Sequence, residues 1–197
     1  MKRIIVTMAL LLLVSPVMAQ EEAVKTVEES NDKTMHRSLF RKTLIELLVE
    51  VEQAAGGLYK VYAEKFPGSE SFWNDLASDE ERHAYMVKGL HEMSEEYKIY
   101  PHDDDRLRFN ENYAQGTLIY MKNQISMAQK ATISFTEALA VALSIERSLV
   151  EKEFYTIFKG DGPAARVILQ TMVTESKEHE QKIRGVVEKL KEIEGRE

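Results

Sequence analysis

From about residue 35 onward, apolar positions recur at the three- and four-residue steps of amphipathic helices. Ile45, Leu48, Val49, Glu52, Ala55, Tyr59 and Ala63 share one stripe, which stops at Phe66-Pro67-Gly68. A second helix is expected from an N-cap at Ser69 or Ser71 to about Lys98, with Leu76, Glu80, His83, Val87 and Leu90 on one face. Ser134 and Glu137 form a capping box that announces a third helix, whose apolar face reads Leu139, Ala142, Leu143, Glu146, Val150 and Ile157. Gly160-Asp161-Gly162-Pro163 is a tight turn into a fourth helix, which runs through Leu169, Met172, Val173, Ser176, His179, Ile183, Val187 and Leu190 to about Ile193. Between the second and third helices, residues 99–133 carry the Tyr100-Pro101 break, the acidic loop Asp103-Asp104-Asp105 and weaker periodicity, with a short helix expected within 112–127. No strand signal competes. The expected fold class is all-α, with four long helices in two tight hairpins joined by one long crossover.

Five polar residues sit on stripes that should bury only hydrocarbon: Glu52, Glu80, His83, Glu146 and His179. Burying one ionised group costs several kcal/mol, against a domain stability of about 5–15 kcal/mol. The five also converge on one height. Glu52 lies 14 residues before Phe66, and Glu80 and His83 lie 11 and 14 after Ser69; Glu146 lies 14 before Gly160 and His179 lies 17 after Gly162. At about 1.5 Å per residue, these arms bring helix-mates within a turn or two of one another. The spacings repeat as well, since Glu52 precedes His83 by 31 residues and Glu146 precedes His179 by 33. Bound cations are the simplest compensation.

A carboxylate from each of two helices and a Glu-x-x-His from each of the other two make the di-iron or di-manganese site of ferritin-like bundles. Carboxylates and imidazoles suit iron or manganese, and zinc is a further candidate. The second Glu-x-x-His is incomplete, because Ser176 stands three residues before His179 and the nearest carboxylate, Glu175, stands four before. An i,i+4 pair still shares a face, so Glu175 joins the expected ligand set of Glu52, Glu80, His83, Glu146 and His179.

The stretches Glu52-Gln53-Ala54-Ala55-Gly56-Gly57-Leu58-Tyr59 and Leu76-Ala77-Ser78-Asp79-Glu80-Glu81-Arg82-His83-Ala84 resemble the first half of the rubrerythrin-type, ferritin-like di-iron domain. Ala138 to Glu146 and Glu175 to His179 are similar to its second half, and the resemblance spans about residues 35 to 193. It implies a four-helix bundle, often dimeric, with a non-haem di-iron site that handles peroxide, dioxygen or iron. Two departures follow from the same comparison. Full rubrerythrins add a cysteine-ligated iron that feeds electrons to the site, and this chain has no cysteine; the family's extra carboxylate on the third helix would fall at Leu149.

Composition narrows the setting. Lys2 and Arg3, the apolar run Ile4 to Val14 and Val17-Met18-Ala19 read as a signal peptide over 1–19, which implies a periplasmic or secreted protein. The apolar run is too short for a spanning helix, so no stable membrane span is expected after cleavage. Residues 20–34 form an acidic linker, and 35–197 the helical domain. Cleavage would leave 24 basic residues against 33 acidic ones, a net charge of −9, which argues against nucleic acid as a partner. The expected partners are metal ions, peroxide or dioxygen, and a second copy in a homodimer.

Each residue also has a plainer reading. Glu80 and His83 would suit a solvated helix surface, His179 a core boundary, and Glu153 the surface two turns from Glu146. Tyr59, Tyr62, Tyr85 and Tyr155 could be redox groups or orient ligands, but read by default as core filling; Phe72 and Trp73 read as anchors of the first hairpin, and His102 with Asp103 to Asp105 as a solvated loop. A non-catalytic metal-binding module and a metal-free interaction bundle remain the competing functions.

Overall fold

The computed structural model describes residues 44–97, 100–101, 111–151, 158–159 and 163–194. The expected signal peptide and acidic linker lie outside the described residues, as do His102 to Asp105, Glu153, Tyr155 and the turn at 160–162. The described chain is all-α: α1 (Leu44–Lys65), α2 (Glu70–Tyr97), α3 (Glu111–Lys130), α4 (Phe135–Glu151) and α5 (Pro163–Glu194), with a single 3-10 turn, Pro67–Ser69, between the first two. One short departure from helix is an antiparallel pairing of Tyr100 with Lys159 and Pro101 with Phe158.

Local chemistry sets the helix ends. Ser69 folds the first hairpin tightly: its backbone N–H and its hydroxyl both donate to the Phe66 carbonyl, at 2.8 and 3.3 Å. The capping box is complete, with the Ser134 N–H and hydroxyl donating to Glu137 Oε2 at 2.8 and 2.7 Å while the Glu137 N–H donates to Ser134 Oγ at 3.2 Å. Those bonds satisfy backbone groups that the first turn of α4 would otherwise leave open. Pro163 occupies the first position of α5, where its missing N–H is harmless.

α1 packs on α2 along its length and carries α3 on another side, α4 packs on α5, and α2 meets α5 across the middle. Two neighbouring glycines mark how closely α1 is approached. A Cβ on Gly56 would stand 3.2 Å from the Ala77 carbonyl oxygen and 3.4 Å from Glu80 Cβ, both on α2, whereas one on Gly57 would meet Ile125 of α3 at 3.8 Å. At one end of the interior, Trp73 lies 5.8 Å from Tyr59, 4.9 Å from Tyr62 and 6.0 Å from Phe135, ring centre to ring centre, so aromatic packing ties α1, α2 and α4 together. Trp73 and Phe72 thus anchor the hairpin. Tyr85, expected in the core, is instead 77% exposed, because it falls between the buried positions Ala84 and Val87 on the outward edge of α2.

The crossover holds more structure than its pattern suggested. α3 is 20 residues long, and its buried face includes Ala114, Gly116, Thr117 and Ala128 beside Leu118 and Met121. Small and hydroxylated residues allow close packing on α1 but give a faint hydrophobic signal.

Candidate metal centre

The polar residues of the four long stripes meet inside. Glu52 (α1), Glu80 and His83 (α2), Glu146 (α4) and His179 (α5) are each no more than 1% exposed. Glu80 is central: its Oε2 lies 3.0 Å from His83 Nδ1 and its Oε1 lies 2.9 Å from His179 Nδ1. Glu52 Oε2 stands 3.6 Å from His83 Nδ1, and Glu146 Oε2 stands 3.9 Å from His179 Nδ1. The two imidazoles stack at 5.5 Å. One carboxylate is therefore shared by two imidazoles, each with a further carboxylate beside it.

Each imidazole is held from behind. His83 Nε2 is 2.8 Å from Glu175 Oε2, and His179 Nε2 is 3.1 Å from Asp79 Oδ2. The two holders cross over, since Asp79 stands four residues before His83 on α2 but serves His179 on α5, and Glu175 stands four before His179 but serves His83. Arg82 ties them together, donating to Glu175 Oε2 at 2.7 Å and to Asp79 Oδ1 at 2.5 Å. Glu175, expected among the ligands, thus stands behind His83 and not in front of it. One residue's offset from the Glu-x-x-His position turns its side chain toward the seam between α2 and α5, where it is 24% exposed. Arg147, next to Glu146, turns outward to Glu180.

Tyr59 completes the inner arrangement by donating its hydroxyl to Glu146 Oε1 at 2.6 Å. Asp79 and Arg82 carry no role in the sequence pattern, and for Tyr59 the contact to Glu146 matches the ligand-orienting alternative and not core filling alone. The matched carboxylates four residues before each histidine, Asp79 and Glu175, were the available signal for Asp79.

The electrostatics follow from burial and proximity. Burial, reinforced by the charge of Glu80, raises Glu52 to about 8. The same two causes raise Glu146 to about 8, partly opposed by His179 and Tyr59. For Glu80, burial pushes upward, but hydrogen bonds to His179 and His83 overcome it and hold the carboxylate well below its usual range. Burial would lower the imidazoles, yet their carboxylate neighbours win: His83 rises to about 11 and His179 to about 9. Burial also works to raise Asp79 and Glu175, and hydrogen bonds from Arg82 and the imidazoles lower both.

Donor chemistry and spacing fit metal ions. Two donors each about 2.1 Å from one ion lie about 3.0 Å apart at right angles and about 3.4 Å apart in a tetrahedron. The contacts of Glu80 with the two imidazoles, 3.0 and 2.9 Å, match the first spacing. Donor atoms of Glu80, His83 and His179 all lie within 4.8 Å of one another. Glu80 Oε1, Glu146 Oε2 and His179 Nδ1 are buried without a hydrogen bond of good geometry, a costly condition for polar atoms that cation binding would relieve. The outer nitrogen of each imidazole already meets a carboxylate, the arrangement that fixes the orientation of metal-bound histidine. Compared with known protein families, characterised proteins and solved structures, the chain matches none.

Proposed function

We propose that the chain is an exported, ferritin-like four-helix protein whose interior holds a dinuclear non-haem metal centre, iron by preference, that works on peroxide, dioxygen or iron itself. α1, α2, α4 and α5 would be the four helices of the bundle, and α3 would be the crossover laid along α1. The observation that carries the reading is the Glu80 carboxylate shared between two imidazole Nδ1 atoms, flanked by Glu52 and Glu146.

In this reading His83 and His179 would hold the metals through Nδ1, and Glu80, which lies between the two imidazoles, would supply carboxylate oxygens together with Glu52 and Glu146. Bound iron supplies electrons and open coordination positions for an oxygen species. The chain's own part is positional. Asp79 and Glu175 orient the imidazoles, Arg82 holds those two carboxylates, Tyr59 fixes Glu146, and the hydrocarbon around them excludes water. A second reading, a binding or storage module without redox turnover, is favoured by Ser176 in place of a carboxylate and by the lack of cysteine for an internal electron donor.

Metal analysis of protein purified from its native compartment, followed by aerobic addition of ferrous iron, tests both. About two ions per chain with oxygen or peroxide consumed is the expected result. Two ions bound without consumption favours the module. Fewer than about 0.2 equivalents of any transition metal overturns the proposal, because a resident dinuclear centre of ordinary affinity would stay occupied through purification.

A further inference from the structure

The two halves of the cluster differ at one position. On α2, Glu80 precedes His83 by three residues and puts a carboxylate oxygen 3.0 Å from its Nδ1. On α5 the residue three before His179 is Ser176, buried at 2% exposure, so His179 Nδ1 turns to the opposite helix and shares Glu80 at 2.9 Å. The halves correspond in other respects. A terminal carboxylate flanks each imidazole, and an acidic residue four positions before each histidine crosses to the other imidazole's outer nitrogen. Only the second bridging carboxylate is missing. Serine is a glutamate cut off before its carboxyl group, so the group the chain lacks at this position has the size and chemistry of a one-carbon carboxylate.

Charge agrees with shape. Glu52, Glu80 and Glu146 with two neutral imidazoles leave two dications one negative charge short. Asp79, Arg82 and Glu175 together add one negative charge, but all three are partly open to solvent, where it is screened.

We propose that Ser176 opens a binding position for a small exogenous carboxylate of formate or bicarbonate size, opposite Glu80 in the metal-loaded protein. The inference rests on the dinuclear reading. It makes the centre responsive to a one-carbon oxyanion, where a fourth glutamate would have closed it.

The test uses protein loaded with cobalt(II), its stoichiometry fixed by metal analysis, and follows the visible absorption during titration with sodium formate, with sodium chloride as the control. A saturable spectral change below about 10 mM formate, absent with chloride, is expected. Ser176→Glu supplies the missing group and should lose the response at least tenfold while retaining two ions. Ser176→Val fills the space without charge and should also lose it, which decides the matter if the glutamate variant does not fold. No formate response in wild-type protein carrying two ions overturns this inference alone, as does a response that chloride reproduces or that survives in the loaded variants. Failure to bind cobalt would count against the metal centre itself.

Discussion

Loading the metal-free protein with two divalent ions at pH 7 should expel about four protons per chain, one each from Glu52, Glu146, His83 and His179, whose pKa values are raised to about 8, 8, 11 and 9. Each must lose a proton to act as a ligand. Glu80 contributes none, because its two imidazole partners already hold it ionised. Two dications bring four charges as four protons take four away, so the low-dielectric interior keeps its net charge. The overall binding constant for the pair should then rise by up to about 10⁴ for each unit of pH between 6 and 7, or about 5.4 kcal/mol per unit. The slope should halve above pH 8, where Glu52 and Glu146 ionise unaided and only the two imidazoles still release protons. The assay is pH-stat titration with zinc, which is redox-silent, together with metal analysis of the product. Two ions bound with one proton or fewer released would refute the electrostatic account, because the donors would then be unprotonated before metal arrives.

The same groups make the metal-free protein lose stability as pH rises. Glu52 and Glu146, raised from 4.5, favour folding fully below about 4.5 and lose that contribution through about 8, and the histidines, raised from 6.5, lose theirs through about 9 and 11; thermal melts of chelated and zinc-loaded protein should therefore diverge progressively from pH 6 to 9. Glu80→Gln removes the acceptor shared by both imidazoles and should destabilise metal-free protein by about 3–5 kcal/mol in urea unfolding at pH 7, with a loss below about 1 kcal/mol counting against its central role. Arg82→Ala frees Asp79 and Glu175 and should weaken zinc affinity about 10–100-fold at unchanged stoichiometry in competition with a chromophoric chelator, and Arg82→Lys should fall between, since lysine lacks the planar fork. Gly56→Ala presses a Cβ against the Ala77 carbonyl beside Glu80, so overpacking of about 1–3 kcal/mol should exceed the helix-propensity gain of about 1 kcal/mol. Gly57→Ala, with ordinary contact to Ile125, should be stabilising in the same unfolding assay.

Periodicity along the chain was enough to place the long helices and the inward-facing residues of the cluster. Helical spacing fixes which side chains share a face, and ends are written locally, in the Ser134–Glu137 box and at Pro163. A glutamate or histidine on a hydrocarbon stripe is conspicuous without any structure, which is how Glu52, Glu80, His83, Glu146 and His179 stood out. α3 was underestimated because its small packing residues carry little hydrophobic contrast. Tertiary structure alone decided which oxygen meets which nitrogen. Shared helical faces tolerate an offset of one residue, yet that offset places Glu175 behind His83 instead of before it. The crossing of Asp79 to His179, the clasp of Arg82 on Glu175 and the Tyr59 bond to Glu146 join positions 87 to 100 residues apart, and the periodicity of a single helix contains no information about the azimuth of its partner.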